Sequence, residues 1–191
     1  MMSRRQKEII RATLNLMAEK GLSAVTMKDI AGQFKISDAA LYKHFRSKSE
    51  ILAGVAGLFE EDAGRALEEA GNAESPLEAV RAFFLDRCDT FARFPALSAV
   101  LLNNELLSDP SFDLQVKGMM ERHQKAILSY LRKGIDQGEI RPDIKEEHLF
   151  ILLMGSLRLL VQKWKFSGYK NDLSAEGREL WKSLEAMIRP M

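Results

Sequence analysis

Apolar positions recur along the chain in three- and four-residue steps, with none of the sustained alternation that a strand would show. Ile10, Leu14 and Met17 line a first helix that stops at Gly21, where the backbone has to turn left-handed. Three helix starts then follow in quick succession. Thr26 is placed to cap free N–H groups with Asp29 three residues on, and Val25 to staple onto Ile30. Ser37 repeats the device, with Ile36 stapling onto Leu41, and Ser47 repeats it with Glu50 as reciprocal partner. These caps leave room for two helices of about two turns each before a longer one over residues 47–70. Beyond "AGNAESP", the run Ser75-Pro76-Leu77-Glu78 supplies a cap, a proline at the first helical position and an acidic third residue. That helix ends before Pro95, and a short one is expected over 96–107, until "SDPS" interrupts it. A long helix over 110–138 follows, then Asp143 as cap of a helix over 145–166, and a last helix over 173–188 after "SGYKND". The predicted fold is all-α, with about nine helices.

Composition narrows the class. Hydrophobic residues at 46% with 29% charged residues describe a chain able to bury a core rather than a disordered one. The single cysteine, Cys88, leaves no internal disulfide or multi-cysteine zinc site and suits a reducing cytoplasm. Its neighbours Asp86 and Asp89 would raise the thiol pKa, the wrong direction for a nucleophile. His44, His123 and His148 form no metal-spaced pair, so neither metal, cofactor nor enzymatic activity is expected. "MMSRRQKEII" reads straight into an amphipathic helix, so no leader is expected. The apolar run from Leu149 to Val161 contains Arg158 and falls short of the roughly 20 residues a membrane span needs.

Charge is unevenly placed. Residues 1–50 carry ten Lys or Arg against five Asp or Glu, whereas the remainder carries 18 against 22. A basic end facing a polyanion and a neutral body with another task would give this split, as would an ordinary solvated face. Within the basic end, two short helices joined by a tight turn match a helix-turn-helix, whose second helix can enter a DNA major groove. Ile30, Ala31 and Phe34 supply the inner side of the first of these helices, and Leu41 and Phe45 hold the second down. Ala39 and Ala40 keep its outer face clear, which leaves Tyr42, Lys43 and His44 for the groove and its phosphate walls. Thr26, Lys28, Ser37 and Lys48 sit at or near helix starts, where backbone N–H groups favour phosphate. Any two short packed helices can mimic this pattern, and Tyr42 or His44 would then be packing residues.

Residues 9–52 resemble the N-terminal domain of the TetR family of bacterial transcription regulators. The resemblance rests on "TMKDIA", "ISDAALYKHF" and "SKSEIL", above all L-Y-x-x-F followed by S-K-x-E. It implies a three-helix DNA-binding domain over 1–46, with the helix-turn-helix over about 25–45, and a helical ligand-binding and dimerisation domain over 47–191. By this likeness Thr26, Tyr42, His44 and Lys48 contact phosphates, while Ser37, Asp38, Ala39, Ala40 and Lys43 face bases or groove walls. Arg4 and Arg5 would add minor-groove or backbone contacts. The chain departs from the family in the turn, where Phe34 and Lys35 replace a small residue and glycine. Lys35 must therefore accept a strained backbone or a different geometry, and it adds a cation beside the duplex. Asp38 opens the second helix with an anion that either accepts from a cytosine amino group or steadies the helix N-terminus.

The likeness implies a homodimer on a palindromic operator, released by a small-molecule effector, in a bacterial cytoplasm and at the nucleoid when bound, with no membrane contact. The residues support a dimer independently. Leu149, Leu152, Ser156, Leu159 and Leu160 line one side of the penultimate helix, and apolar residues line the other as well. With Leu180, Trp181, Leu184 and Ile188 of the last helix they would form an isologous four-helix interface, or else the core of a monomer. Phe83, Phe84, Arg87, Cys88 and Phe91 on one helix and Phe112, Met119, Met120 and His123 on a later one suit an adaptable apolar cavity, or plain core. The ligand would be apolar or amphipathic, and filling the cavity would shift the helix over 47–70 and the spacing of the two recognition helices. The expected function is a repressor of this kind; the alternative is a DNA-binding protein without an inducer, controlled by a protein partner or organising the chromosome.

Overall fold

The computed structural model describes the backbone of residues 2–21, 24–101 and 110–190, and their side chains except those of 99–101 and 110–115. Among the described residues the regular elements are all helices: α1 (Arg4–Lys20), α2 (Met27–Gln33), α3 (Asp38–Tyr42), α4 (Lys48–Ala70), α5 (Pro76–Arg93), α6 (Pro95–Leu101), α7 (Pro110–Asp136), α8 (Glu146–Phe166) and α9 (Leu173–Ile188). The expected continuation of α6 to residue 107 lies outside the described residues.

The chain forms two compact units, residues 1–61 with 95–118 and residues 62–94 with 119–191. In the first, α1 packs on α2 and α6, and α2 on α3. Ile9, Ile10, Ile30, Leu41, Ile51 and Val55 make its core, all at most 1% exposed. α1 and α4 approach closely because residue 54 is glycine: a Cβ there would lie 2.4 Å from the Ile10 side chain. In the second unit, α5 packs on α8 and α9, and those two on each other. Its core includes Phe84, Ile127, Leu131, Leu149, Leu153 and Trp181.

Most starts follow from local chemistry. Thr26 accepts from the Asp29 N–H while the Asp29 carboxylate accepts from the Thr26 N–H, a closed capping box. Ser37 accepts from Ala40 N–H, and Ser75 from Glu78 N–H ahead of Pro76. Two starts differ from expectation. Ser47 does accept from Glu50 N–H, but the Glu50 carboxylate accepts from the N–H of Arg46, one residue before the anticipated partner. Asp143 does not cap α8. The Arg141 guanidinium holds it in a two-pronged pair at 2.6 and 2.7 Å, and Lys145 takes the cap position without a side-chain bond. Glu146 and Glu147 in the first turn then supply the negative charge that the N-terminus favours.

The α5–α9 crossing is closely packed. A Cβ on Gly177 would fall 2.6 Å from Sγ and 3.0 Å from Cβ of Cys88. Burial, then the Asp89 charge, pushes the Cys88 thiol up to about 12, so the sulfur acts as neutral packing volume. Gly177→Ala is expected to cost about 1–3 kcal/mol by overpacking. In a thermal-melt double-mutant cycle, Cys88→Ala should recover part of that loss; additive losses would show that the two residues do not share this crossing.

Candidate nucleic-acid interface

The helix-turn-helix is built around a left-handed residue. Lys35 has φ +52°, the conformation that usually calls for glycine. Its N–H donates to the Gly32 carbonyl at 3.1 Å, and the N–H of Ile36 donates to the Ala31 carbonyl at 3.2 Å. This pair of bonds is a Schellman closure of α2, and it satisfies two carbonyls that the helix end would otherwise leave open. Ala31 is buried, so the closure holds the turn against the unit's core. Of the two possibilities for Lys35, the chain adopts the strained one.

Beyond the turn, Leu41 at 0% and Phe45 at 3% exposure anchor α3 inward, as their four-residue spacing requires. The opposite face is open. Ser37, Asp38, Ala39, Lys43 and Lys35 are exposed, Tyr42 is 50% exposed, and Ala40, His44 and Lys48 are half-buried. Thr26 and Lys28 are exposed on the start of α2. The Thr26 hydroxyl is engaged: it donates to the Asp29 carboxylate and accepts from the Asp29 N–H. That hydroxyl, the Thr26 N–H and the Lys20 ammonium together hold the Asp29 carboxyl well below the usual carboxylate range. Thr26 therefore offers a rigid helix start more than a free hydroxyl.

The two N-terminal arginines are also committed within the chain. Arg4 and Arg5 both pair with Glu8, at 3.2 and 3.1 Å, and hold its carboxyl low, Arg5 foremost. The Arg5 guanidinium lies 4.8 Å above the Phe34 ring, a cation–π contact. Phe34, which departs from the expected small residue, thus has a partner. Gln6, which the sequence reading passed over, donates from its side-chain amide to the His44 carbonyl at 3.1 Å. No local pattern could have revealed either contact, since each joins α1 to a segment far along the chain.

In the second unit the expected pocket residues divide between two sides of α5. Phe83, Arg87 and His123 come together: the Phe83 ring is edge-on to His123 at 6.0 Å, with Arg87 at 5.5 Å from the same ring. Arg87 is held by Asp62 at 2.9 Å and by Asp86, and Thr90 donates to the same Asp62 oxygen at 3.2 Å. Phe84 faces Trp181 at 5.5 Å and Cys88 faces Gly177, so these two belong to the α9 contact. Phe91 and Met119 are buried, Met120 is 55% exposed, and the Phe112 side chain lies outside the described residues. An open trough of about 570 Å³ along α7 is lined by charged chains such as Glu121, Lys125 and Asp136, and by none of these residues.

The expected interface residues divide as well. Leu149, Leu160, Trp181, Leu184 and Ile188 are buried within the chain; Ser156 and Leu180 are half-buried. Leu152 at 44% and Leu159 at 66% are exposed, together with Ile151 at 63% and Phe166 at 79%. Among the described residues no group of three or more His, Cys, Asp or Glu is placed to hold a metal, and no helix is long and apolar enough to cross a membrane.

An N-terminal helix-turn-helix with an open, cation-edged second helix, on an all-helical body, defines a class of DNA-binding regulators. Residues 9–55 match the model of the bacterial regulatory proteins of the tetR family. The HTH-type transcriptional repressor KstR2 of Mycolicibacterium smegmatis is 29% identical over 176 residues, 90% of this chain and 83% of that protein. The nucleoid occlusion factor SlmA of Vibrio vulnificus is 27% identical over 199 residues, 98% of this chain and 97% of that one. The solved structure of the transcriptional regulator FadR from Bacillus subtilis in complex with stearoyl-CoA shares the fold, with a TM-score of 0.79 at 22% identity over 95% of this chain and 97% of that one. Residues 9–55 thus match the DNA-binding part of the tetR family, and the chain as a whole is similar to regulators of this kind.

Lys35 allows strain and charge to be separated. Lys35→Gly is expected to raise the melting temperature, since a side chain in this conformation costs on the order of 1 kcal/mol. It should also weaken DNA binding and flatten the salt dependence by about one phosphate contact, measured by anisotropy across salt. A stabilised variant with an unchanged salt slope would remove Lys35 from the interface.

Proposed function

We propose that the protein is a repressor that binds a palindromic operator as a homodimer and leaves it when an amphipathic acyl ligand enters the second unit. The observation that carries this reading is the open outer face of α3. Asp38, Ala39, Ala40 and Lys43 would read bases or groove walls, with Tyr42, His44, Lys35 and Lys48 toward the phosphates. In domain terms, residues 1–46 would bind DNA and 47–191 would sense ligand and dimerise.

The ligand class draws on FadR, which is solved with stearoyl-CoA, and on the apolar residues of this chain around Phe83, Phe91 and Met119. Arg87 is neutralised by Asp62 and Asp86, so the site favours an acyl chain over a free anionic head. The second reading, a DNA-binding protein without an inducer that is controlled by a protein partner or organises the chromosome, draws on the likeness to a nucleoid occlusion factor, SlmA, over nearly the whole chain. A duplex selected from a random-sequence pool separates the two. Stearoyl-CoA is expected to release the protein from that duplex, whereas free coenzyme A is not. Retention of the complex with acyl-CoA of every chain length would overturn the ligand reading.

For the dimer, the exposed stripe Ile151, Leu152, Leu159 and Phe166 on α8 is the covering surface we infer, with open space above Gly155 for a close approach. Leu159→Glu is expected to give a folded monomer in sedimentation that binds the operator weakly. Leu149→Ala, by contrast, should destabilise the chain by about 2–5 kcal/mol, because that side chain is already buried. A dimer unaffected by Leu159→Glu would place the interface elsewhere.

A further inference from the structure

We propose that Arg5 and Gln6, in the first turn of α1, are positioning residues that splint the recognition helix from both ends. The proposal rests on the reading of α3 as the DNA-reading helix. α3 has five residues, too few to hold a helix by itself in water. Its inner face is pinned by Leu41 and Phe45, which fixes depth but leaves rotation and tilt of its ends to other contacts.

Two such contacts come from adjacent residues of one helix turn. Arg5 lies over Phe34, in the turn that leads into α3. Gln6 donates to the carbonyl of His44, in the turn that leaves it. The segment between these points, residues 34–44, contains every base-facing candidate. The start of α1 is itself rigid: Ser3 accepts from the Gln6 N–H at 3.2 Å, and the Gln6 side-chain oxygen accepts from the Ser3 N–H at 2.9 Å. Glu8 holds Arg5 in place at 3.1 Å. Gln6 thus does two things with its two amide atoms. The oxygen closes the capping box of α1, and the nitrogen carries that rigidity to the end of α3.

This division of labour provides the test. Gln6→Glu keeps an oxygen for the Ser3 N–H and adds favourable charge to the helix start, but it loses the donor to His44. Gln6→Met is uncharged and also lacks the donor. In the free protein, both variants are expected to speed amide hydrogen exchange across residues 37–45 by about five- to tenfold, the effect of losing one hydrogen bond. Thermal melts of Gln6→Glu should stay near wild type. On DNA, both should lose about the same factor in preference for the selected duplex over a random one, with the salt slope of the neutral variant unchanged. Unchanged exchange across 37–45 in both variants would overturn the splint, whatever DNA binding does. Weakening on both duplexes by Gln6→Glu alone would also overturn it, because charge would then account for the effect. A wild-type protein that protects residues 37–45 yet prefers no duplex would sink the DNA reading and the proposal with it.

Discussion

The left-handed backbone at Lys35 closes α2 with two hydrogen bonds, and α3 begins only three residues later. A helix of five residues gains too little from its own hydrogen bonds to persist, so its existence depends on what holds it at the edges. The Schellman closure fixes where the chain leaves α2, and Ser37 fixes where it re-enters a helix. Leu41 and Phe45 then tie the inner face to the core. With these constraints set, the outer face needs no packing role and is free to carry Ala39, Tyr42 and Lys43 outward. The lysine at the left-handed position is less favourable to the fold than glycine. Strain of that kind, kept beside the surface proposed to meet DNA, is what a functional compromise looks like in a backbone.

The second unit solves a different problem. α8 is apolar on nearly every side, and the structure assigns those sides to two tasks. Leu149, Leu153, Leu157, Leu160 and Val161 pack within the chain, while Ile151, Leu152, Leu159 and Phe166 face out. An exposed stripe of that size is costly to leave in water and has the spacing of a helix-packing seam. A cleft of about 130 Å³ beside it, lined by Arg141, Ile144, Leu152 and Met187 among others, continues the apolar surface toward α9.

Local features of this fold were legible in the sequence because their chemistry is local. Thr26, Ser37 and Ser75 each satisfy N–H groups within three residues, and a reader of the sequence needs nothing more to place those helix starts. Asp143 shows the limit, since a guanidinium two residues away competes for its carboxylate, and proximity in sequence does not say which bond wins. Periodicity located α8 but could not say which of two apolar faces is buried, because both carry similar side chains. The short helix α3 itself was legible from Leu41, Phe45 and the small residues between caps. The contacts that steady it, Arg5 on Phe34 and Gln6 on His44, were not, because neither leaves a mark on local pattern.

On the proposed reading, a pair of α3 helices, presented by two copies of the chain, reads one face of a DNA duplex. Hydroxyl-radical footprinting on a duplex selected by the protein itself tests this most directly. The account predicts two protected patches related by two-fold symmetry, with centres about one helical turn or a small multiple apart on one face of the DNA. Protection spread evenly along the duplex, or a single patch without symmetry, would contradict it.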